Sequence, residues 1–227
     1  MQLLLAFPRS KQHGGARAGA GRKRLPLPAR HTPHRLRPTH RPAHPVHVTL
    51  RATLHSLRSQ VVAPAVLSAL RATSRNRADF RIVHHSIQTN HIHLIVEAQS
   101  TAALASGMRS LTARLARRIN LGLSRRGAVL SDRWHGVELT SPRQVRNALV
   151  YVLRNHAKHS PTARPGHVPR GAQRVEDPLS SAVTFDGFAT SAVGVPRAGP
   201  PIARTWLLRI GWKRHGLIRP DEVPAHG

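Results

Sequence analysis

Apolar and polar residues alternate with period two in several stretches of the chain, and this pattern predicts β-strands. In "VHVTLRAT" the side chains of Val46, Val48 and Leu50 fall on one face. The stretches "DFRIVHHSIQ" and "HIHLIVEA" follow as two further strands. Thr89 and Asn90 separate them, and asparagine tolerates the backbone conformation of a tight hairpin. A hairpin is therefore predicted between the second and third strands.

Helices are predicted where apolar residues recur at every third or fourth position. The first covers residues 61 to 71. The second begins after Ser100, a suitable N-cap, and its apolar stripe consists of Leu104, Met108, Leu111, Leu115 and Ile119. The third begins at "SPRQ", in which Ser141 is the N-cap, Pro142 takes the first helical position and Gln144 completes a capping box.

With a fourth strand at residues 134 to 140, the order is strand, helix, strand, strand, helix, strand, helix. This order predicts an α+β fold, a ferredoxin-like antiparallel sheet with helices on one face and one extra helix. These elements predict one folded domain at residues 44 to 160.

The two ends of the chain differ in composition from this domain. Residues 1 to 43 are rich in Gly, Pro and Arg without periodicity, so we expect a flexible, disordered basic arm. Residues 161 to 227 are predicted to be a Pro/Gly-rich linker and an extended C-terminal tail. Within that tail, "TWLLRIGWKRHGL" predicts a short helix that docks Trp206 and Ile210 on the core.

The charge of the chain points to a polyanionic partner. There are 36 Lys and Arg against nine Asp and Glu, a formal net charge of +27, and the first acidic residue is Asp79. The electrostatic field of so large a positive charge attracts nucleic acid. The chain has no cysteine and no apolar run of the length of a membrane span, so we expect a cytoplasmic, nucleoid-associated protein without a membrane partner.

The third strand carries two histidines on one face. His91 and His93 are two residues apart, while Ile92, Leu94 and Val96 point to the other face. Two imidazoles roughly 6 to 7 Å apart along a strand can reach one divalent ion. Histidine pairs also occur as ordinary strand residues, so the pattern alone leaves both interpretations open.

The acidic residues of the predicted domain are too few and too far apart for a nuclease site built from clustered carboxylates. Glu97 shares the histidine face but lies four residues beyond His93, roughly 13 Å along a strand, too far to join the same ion. Nucleases that cluster carboxylates are excluded, because the core region holds only Asp79, Glu97, Asp132 and Glu138.

Tyr151 is the only tyrosine of the chain and lies inside the third predicted helix. Asn155 follows one turn later on the same helical face. A separate stripe of Val145, Leu149 and Val152 can pack on the sheet. A simple core aromatic is the alternative role for Tyr151.

The run "HIHLIVEA" followed by a helix carrying "YVLRN" resembles the single-tyrosine HUH transposases, and in particular the REP-associated tyrosine transposases of bacteria. The resemblance covers about residues 45 to 159. The "GARAGAGRKR" arm and the "DRWH" run also resemble sequences of that family. It implies a metal-dependent tyrosine transposase of the HUH endonuclease fold. His156 stands where the family often has proline after the asparagine.

The resemblance also implies the roles of the site residues. His91, His93 and Asn155 would bind Mg²⁺ or Mn²⁺, and Tyr151 would be the nucleophile that forms a 5′-phosphotyrosine bond and frees a 3′-OH. The implied activity is cleavage and rejoining of single-stranded DNA at hairpin-forming repeats, in transposition and DNA recombination. A domesticated DNA-binding protein of the same fold, without cleavage, is the alternative.

Single-stranded or hairpin DNA is the expected partner, and the sequence leaves open a monomer or a homodimer. Arginines would hold the phosphates, and a few aromatic rings would stack on bases. The predicted DNA-binding residues are Arg17, Arg22, Lys23, Arg24, Arg109, Arg114, Arg117, Arg118, Arg133 and Trp134.

Overall fold

The computed structural model describes residues 38–75, 77–158, 177–189, 202–219 and 222. The elements of the central domain, in chain order, are β1 (Val46–Arg51), α1 (Val62–Arg75), β2 (Phe80–Ile87), β3 (His91–Ala98), α2 (Thr101–Gly122), β4 (His135–Glu138) and α3 (Pro142–Lys158). A short 3-10 helix (Ser181–Thr184), helix α4 (Trp206–Arg209) and a second 3-10 helix (Gly211–His215) follow.

The four strands form one antiparallel sheet in the order β2-β3-β1-β4. The central strand β1 pairs with β3 on one side and with β4 on the other, so each βα crossover skips one strand. The predicted α+β fold class and ferredoxin-like sheet are confirmed. A register shift between Ile82 and His84 interrupts the β2–β3 ladder.

Helices α1 and α2 cover one face of the sheet. The predicted stripe of α2 is buried, and Ser100 caps the helix by accepting a hydrogen bond from the Ala103 N–H. These residues form the first core with the apolar face of β3, formed by Ile92, Leu94 and Val96.

Helix α3 packs against the opposite face, which corrects the expectation of helices on one face only. Its buried Val145 and Leu149 form the second core with Val83 of β2 and Ile95 of β3, and Ile95 lies on the same side of β3 as His93. The physical reason is that both sheet faces carry apolar residues, so each face must be covered.

The start of α3 agrees with the predicted cap in all but one bond. Ser141 Oγ accepts from the Gln144 N–H at 3.3 Å. Gln144 Oε1 accepts from the Thr140 N–H at 2.7 Å, one residue before the expected Ser141. The helix therefore begins at a doubly capped turn.

Parts of the predicted C-terminal tail belong to the second core. Leu207, Leu208 and Trp212 are buried there, whereas Trp206 and Ile210 are about half exposed, at 46% and 50%. The prediction that Trp206 and Ile210 dock on the core was wrong, because the side of α4 that packs against α3 carries Leu207 and Leu208. The described pieces of this region are packed and not extended.

Glu97 holds this segment in place. The buried carboxylate accepts hydrogen bonds from the Thr205 N–H and the Thr205 hydroxyl, both at 2.8 Å, and from the Arg204 N–H. The carboxylate predicted to be too distant for the histidine site thus has a structural role next to α4.

A second piece of the tail covers the outer edge of β2. The Ile87 N–H donates to the Leu179 carbonyl at 3.0 Å, and the Ser180 hydroxyl donates to the His85 carbonyl. Arg58 anchors this piece through a bidentate ion pair with the buried Asp177. These bonds satisfy backbone groups that an open sheet edge would leave unpaired.

We expect Trp212→Ala to destabilise the whole domain by about 3 to 5 kcal/mol, because the substitution removes a fully buried ring from the second core. The matched control is Trp206→Ala, which should cost less than about 1 kcal/mol since the ring is 46% exposed. Urea unfolding of the full chain measures both. Equal midpoints for the two variants would mean that this segment is not part of the folded core.

The predicted arm lies mostly outside the described residues, which begin at residue 38. Its last part is tied to the sheet. His40 is buried, its Nδ1 lies 2.8 Å from Glu138 Oε1, and its Nε2 lies 3.0 Å from the Ala98 carbonyl oxygen. The predicted disorder up to residue 43 therefore does not extend to His40.

Candidate active site

His91 and His93 lie side by side on the sheet face that α3 covers, here called the histidine face. Their ring centroids are 4.6 Å apart, and the planes are nearly perpendicular. His93 is only 4% exposed, whereas His91 is half-buried at the start of β3. His91 Nδ1 lies 2.7 Å from Asn90 Oδ1 in the hairpin turn. The period-two pattern predicted both imidazoles on one face of β3, and the structure places them there.

Tyr151 meets this pair from α3. Its ring centroid is 4.9 Å from that of His93, in an edge-to-face contact. The ring is half-buried at the margin of the second core, so it is not a fully enclosed core aromatic. Because Ser141 caps α3 and the Val145 and Leu149 side chains seat it on the sheet, the phenol is held directly over the histidine face.

Two residues of β1 complete the cluster, and the sequence analysis missed them. Thr49 Oγ1 lies 3.2 Å from His93 Nδ1, and His47 Nε2 lies 3.3 Å from the same atom. The His47 ring is also 5.7 Å from the Tyr151 ring. The signal in the sequence was the polar set of "VHVTLR", which alternates with the buried Val46, Val48 and Leu50.

Burial, and secondly the nearby His135, lower the pKa of His47 to about 4. His47 is therefore neutral at neutral pH and has one donor and one acceptor nitrogen. Since Thr49 and His47 both contact His93 Nδ1, a metal ion would have to bind His93 through Nε2.

Asn155 lies one turn after Tyr151 and is 2% exposed. Its Nδ2 is buried without a hydrogen-bond partner in the described part of the chain. The two ends of an amide are assigned from such bonds, so rotating the group places its oxygen at the same point. A buried amide oxygen together with two imidazoles is a donor set that fits a divalent cation.

Within the described ranges, no group of three or more His, Cys, Asp or Glu side chains is arranged to hold a metal. An ion at His91 and His93 would therefore need a ligand of another type, and Asn155 is the predicted one. The assignment of these three residues as ligands of one ion stays a prediction.

The predicted DNA-binding residues are divided between several places. Arg17, Arg22, Lys23 and Arg24 lie outside the described residues. Arg109 and Arg117 are exposed on α2, and Arg114 and Arg118 are half-buried there. Arg118 Nη1 donates to Ser68 Oγ on α1 at 2.6 Å. All four arginines of α2 lie on the side of the sheet opposite the histidine face.

Arg133 and Trp134 precede β4 and are half-buried. Trp134 packs against the first core and lies so close to Gly136 that a Cβ there would come within 2.5 Å of the ring. Its stacking on DNA bases remains a prediction, and its contact with Gly136 is structural.

A buried histidine on β2 makes stability depend on pH. Burial, and secondly His85, lower the pKa of His84 to about 3, and His84 Nδ1 lies 3.3 Å from Ser181 Oγ. Because the unfolded chain takes up this proton near pH 6.5 and the folded chain does not, stability is lost as pH falls from 6.5 towards 3. At pH 5 we expect a loss of about 2 kcal/mol from this residue.

Urea midpoints at pH 7 and pH 5 measure this loss. His84→Gln should reduce the pH dependence but not remove it, because burial also lowers the pKa values of His47 and His85 to about 4. His215→Gln, which removes an exposed imidazole, is the control variant. Equal slopes for wild type and His84→Gln would show that His84 does not carry the effect.

The fold and site together define an α+β domain in which two adjacent histidines of an antiparallel sheet face a helix-borne tyrosine. Residues 45–135 match the profile of the family described as "Transposase IS200 like". The segment is similar to that family, which confirms at this level the resemblance predicted from the sequence. The match includes His91 and His93 and ends before Tyr151 and Asn155.

Two solved structures are similar to this chain. One is described as the structure of a REP-associated tyrosine transposase bound to a REP hairpin, with 16% identity, a TM-score of 0.45, and coverage of 57% of this chain and 74% of that one. The other is a candidate transposase from Deinococcus radiodurans R1, with 14% identity, a TM-score of 0.37, and coverage of 42% and 78%. No curated protein sequence matches the chain.

Hydropathy along the described helices identifies none that is long and apolar enough to span a membrane.

Proposed function

We propose that this protein is a transposase that cleaves and rejoins single-stranded DNA at hairpin-forming repeats, through a 5′-phosphotyrosine bond to Tyr151. The observation that carries the proposal is the contact of the Tyr151 ring with His93, at 4.9 Å between centroids. This contact joins the only phenol of the chain to the histidine pair inside the family-matched segment.

In the proposed step, Tyr151 Oη attacks the phosphorus of a phosphodiester. The Oη–P bond forms as the bond from phosphorus to the 3′ oxygen breaks. The phenol gives its proton to water, and the departing 3′ oxygen takes one up and becomes a free 3′-OH. The new bond is a phosphodiester like the one broken, so a 3′-OH can later reverse the reaction without ATP.

We propose that His91, His93 and Asn155 hold Mg²⁺ or Mn²⁺ next to the phenol. When bound, the ion would neutralise charge on a non-bridging phosphate oxygen and orient the phosphorus. Thr49 and His47 support this arrangement, because both contact Nδ1 of His93 and so fix the orientation of its ring.

We propose single-stranded or hairpin DNA as the partner, with the protein acting as a monomer or homodimer on DNA of the nucleoid in the cytoplasm. The excess of 36 Lys and Arg over nine Asp and Glu supports a polyanion. Since the α2 arginines and the histidine face lie on opposite sides of the sheet, we propose that DNA contacts more than one face.

The test uses single-stranded hairpin oligonucleotides, labelled at either end and incubated with the full chain in Mg²⁺ or Mn²⁺. We expect one product with a free 3′-OH and one that migrates with the protein on a denaturing gel. The same sequence as a fully paired duplex is the control substrate. Binding without cleavage of any hairpin would favour the non-catalytic DNA-binding alternative.

A further inference from the structure

Arg51 ends β1 on the histidine face. Along β1 the buried Val46, Val48 and Leu50 point to the first core, so His47, Thr49 and Arg51 point the other way. In the β1–β3 register, Thr49 lies opposite His93 and Arg51 lies opposite His91. Residues directly opposite on antiparallel strands share a face, with Cβ atoms about 4.5 to 5.5 Å apart. Arg51 is therefore the immediate cross-strand neighbour of His91.

The backbone of Arg51 is fixed while its side chain is exposed. The Arg51 carbonyl accepts from the Ser131 N–H at 3.0 Å, and the following Ala52 N–H donates to the Asn90 carbonyl at 2.8 Å. The side chain itself faces solvent. The guanidinium is thus carried by a rigid part of the sheet and not by a loop.

Arg51 takes part in none of the ion pairs found between described residues. The ion pairs there join Arg58 to Asp177, Arg77 to Asp79 and Arg146 to Glu222, while Glu138 meets two histidines. Glu97 is occupied by Thr205 and the Arg204 N–H. The Arg51 guanidinium is therefore not engaged in any of these pairs.

We propose that Arg51 binds the phosphodiester that Tyr151 attacks, as a phosphate-binding residue of the active site. A guanidinium keeps its charge at all working pH values, and its forked N–H groups match two phosphate oxygens. The charge would stabilise the phosphorane-like transition state, in which negative charge on the non-bridging oxygens increases. This inference rests on the proposed function, because it concerns the same phosphate.

The test compares single-turnover cleavage by wild type, Arg51→Gln, Arg51→Lys and Arg75→Gln, with protein in excess over hairpin DNA. Arg75→Gln is the matched control, since it removes one exposed charge from the end of α1 on the other side of the sheet. We expect Arg51→Gln to slow cleavage about 100-fold and Arg75→Gln to leave it unchanged. Arg51→Lys should be intermediate, because it keeps the charge and loses the fork.

Binding and folding are measured on the same variants. The affinity of Arg51→Gln for DNA should fall far less than its rate, because one phosphate contact among many is removed. Its thermal midpoint should match that of wild type. If wild type forms the adduct and Arg51→Gln cleaves at the wild-type rate, or Arg75→Gln is equally slow, this inference is overturned and the proposed function stands. If wild type forms no adduct, the proposed function is overturned and the inference falls with it.

Discussion

Replacing Tyr151 with phenylalanine is expected to abolish the covalent protein–DNA adduct and to lower the cleavage rate at least about 10⁴-fold. The variant removes the nucleophilic oxygen, and no second tyrosine exists in the chain to replace it. The phenyl ring keeps its edge contacts with His93 and His47. Stability should therefore change by less than about 1 kcal/mol. A denaturing gel of end-labelled hairpin DNA measures the adduct, and urea unfolding measures stability.

The control for this variant is DNA binding. Tyr151→Phe should bind the hairpin as wild type does, since affinity comes mainly from arginine contacts with phosphates. An adduct that survives the substitution would identify another side chain as the nucleophile. Cleavage by wild type to a free 5′-phosphate without any adduct would identify water.

The second large effect is expected for His91→Ala, which should abolish metal-dependent cleavage, with a loss of at least about 100-fold. His91 is the better test of the two histidines, because it is half-buried while His93 is enclosed by Thr49 and His47. Affinity for Mn²⁺ should fall at least about 10-fold, as titration calorimetry on the protein without DNA can measure. DNA binding should be largely retained.

His135→Ala is the matched control for His91→Ala. His135 lies opposite Thr49 on β4 and is exposed, so it shares the histidine face without being a predicted ligand. Its removal should leave the affinity for Mn²⁺ unchanged. Wild-type cleavage that is equally fast in a chelator, or equal Mn²⁺ affinities for wild type and His91→Ala, would contradict the metal site.

The elements of the central domain were predictable because their apolar residues follow one clear period. The apolar stripe from Leu104 to Ile119 predicts one face of a helix, and the alternation of apolar and polar residues around His91 and His93 predicts a strand. The strand order followed, since the split βαβ plan allows few ways to place four strands. The histidine pair and Tyr151 could be found as local features of a strand and a helix.

Contacts between residues far apart in the chain could not be predicted in the same way. His47, Thr49 and Arg51 come close to the site only through the β1–β3 register, which joins residues more than 40 positions apart. The tail lacked a usable signal because α4 has four residues, too few for a periodic pattern. The sheet face that α3 covers was also not predictable, because β2 and β3 carry apolar residues on both faces.

The most direct test of the central claim is mass spectrometry of the wild-type adduct after digestion with nuclease and trypsin. The peptide "NALVYVLR", residues 147 to 154, contains the only tyrosine of the chain. We predict that this peptide gains the mass of a nucleotide remnant joined through its 5′ phosphate, and that fragmentation locates the added mass on Tyr151. An unmodified peptide alongside cleaved DNA, or a nucleotide on any other peptide, would contradict the proposed mechanism.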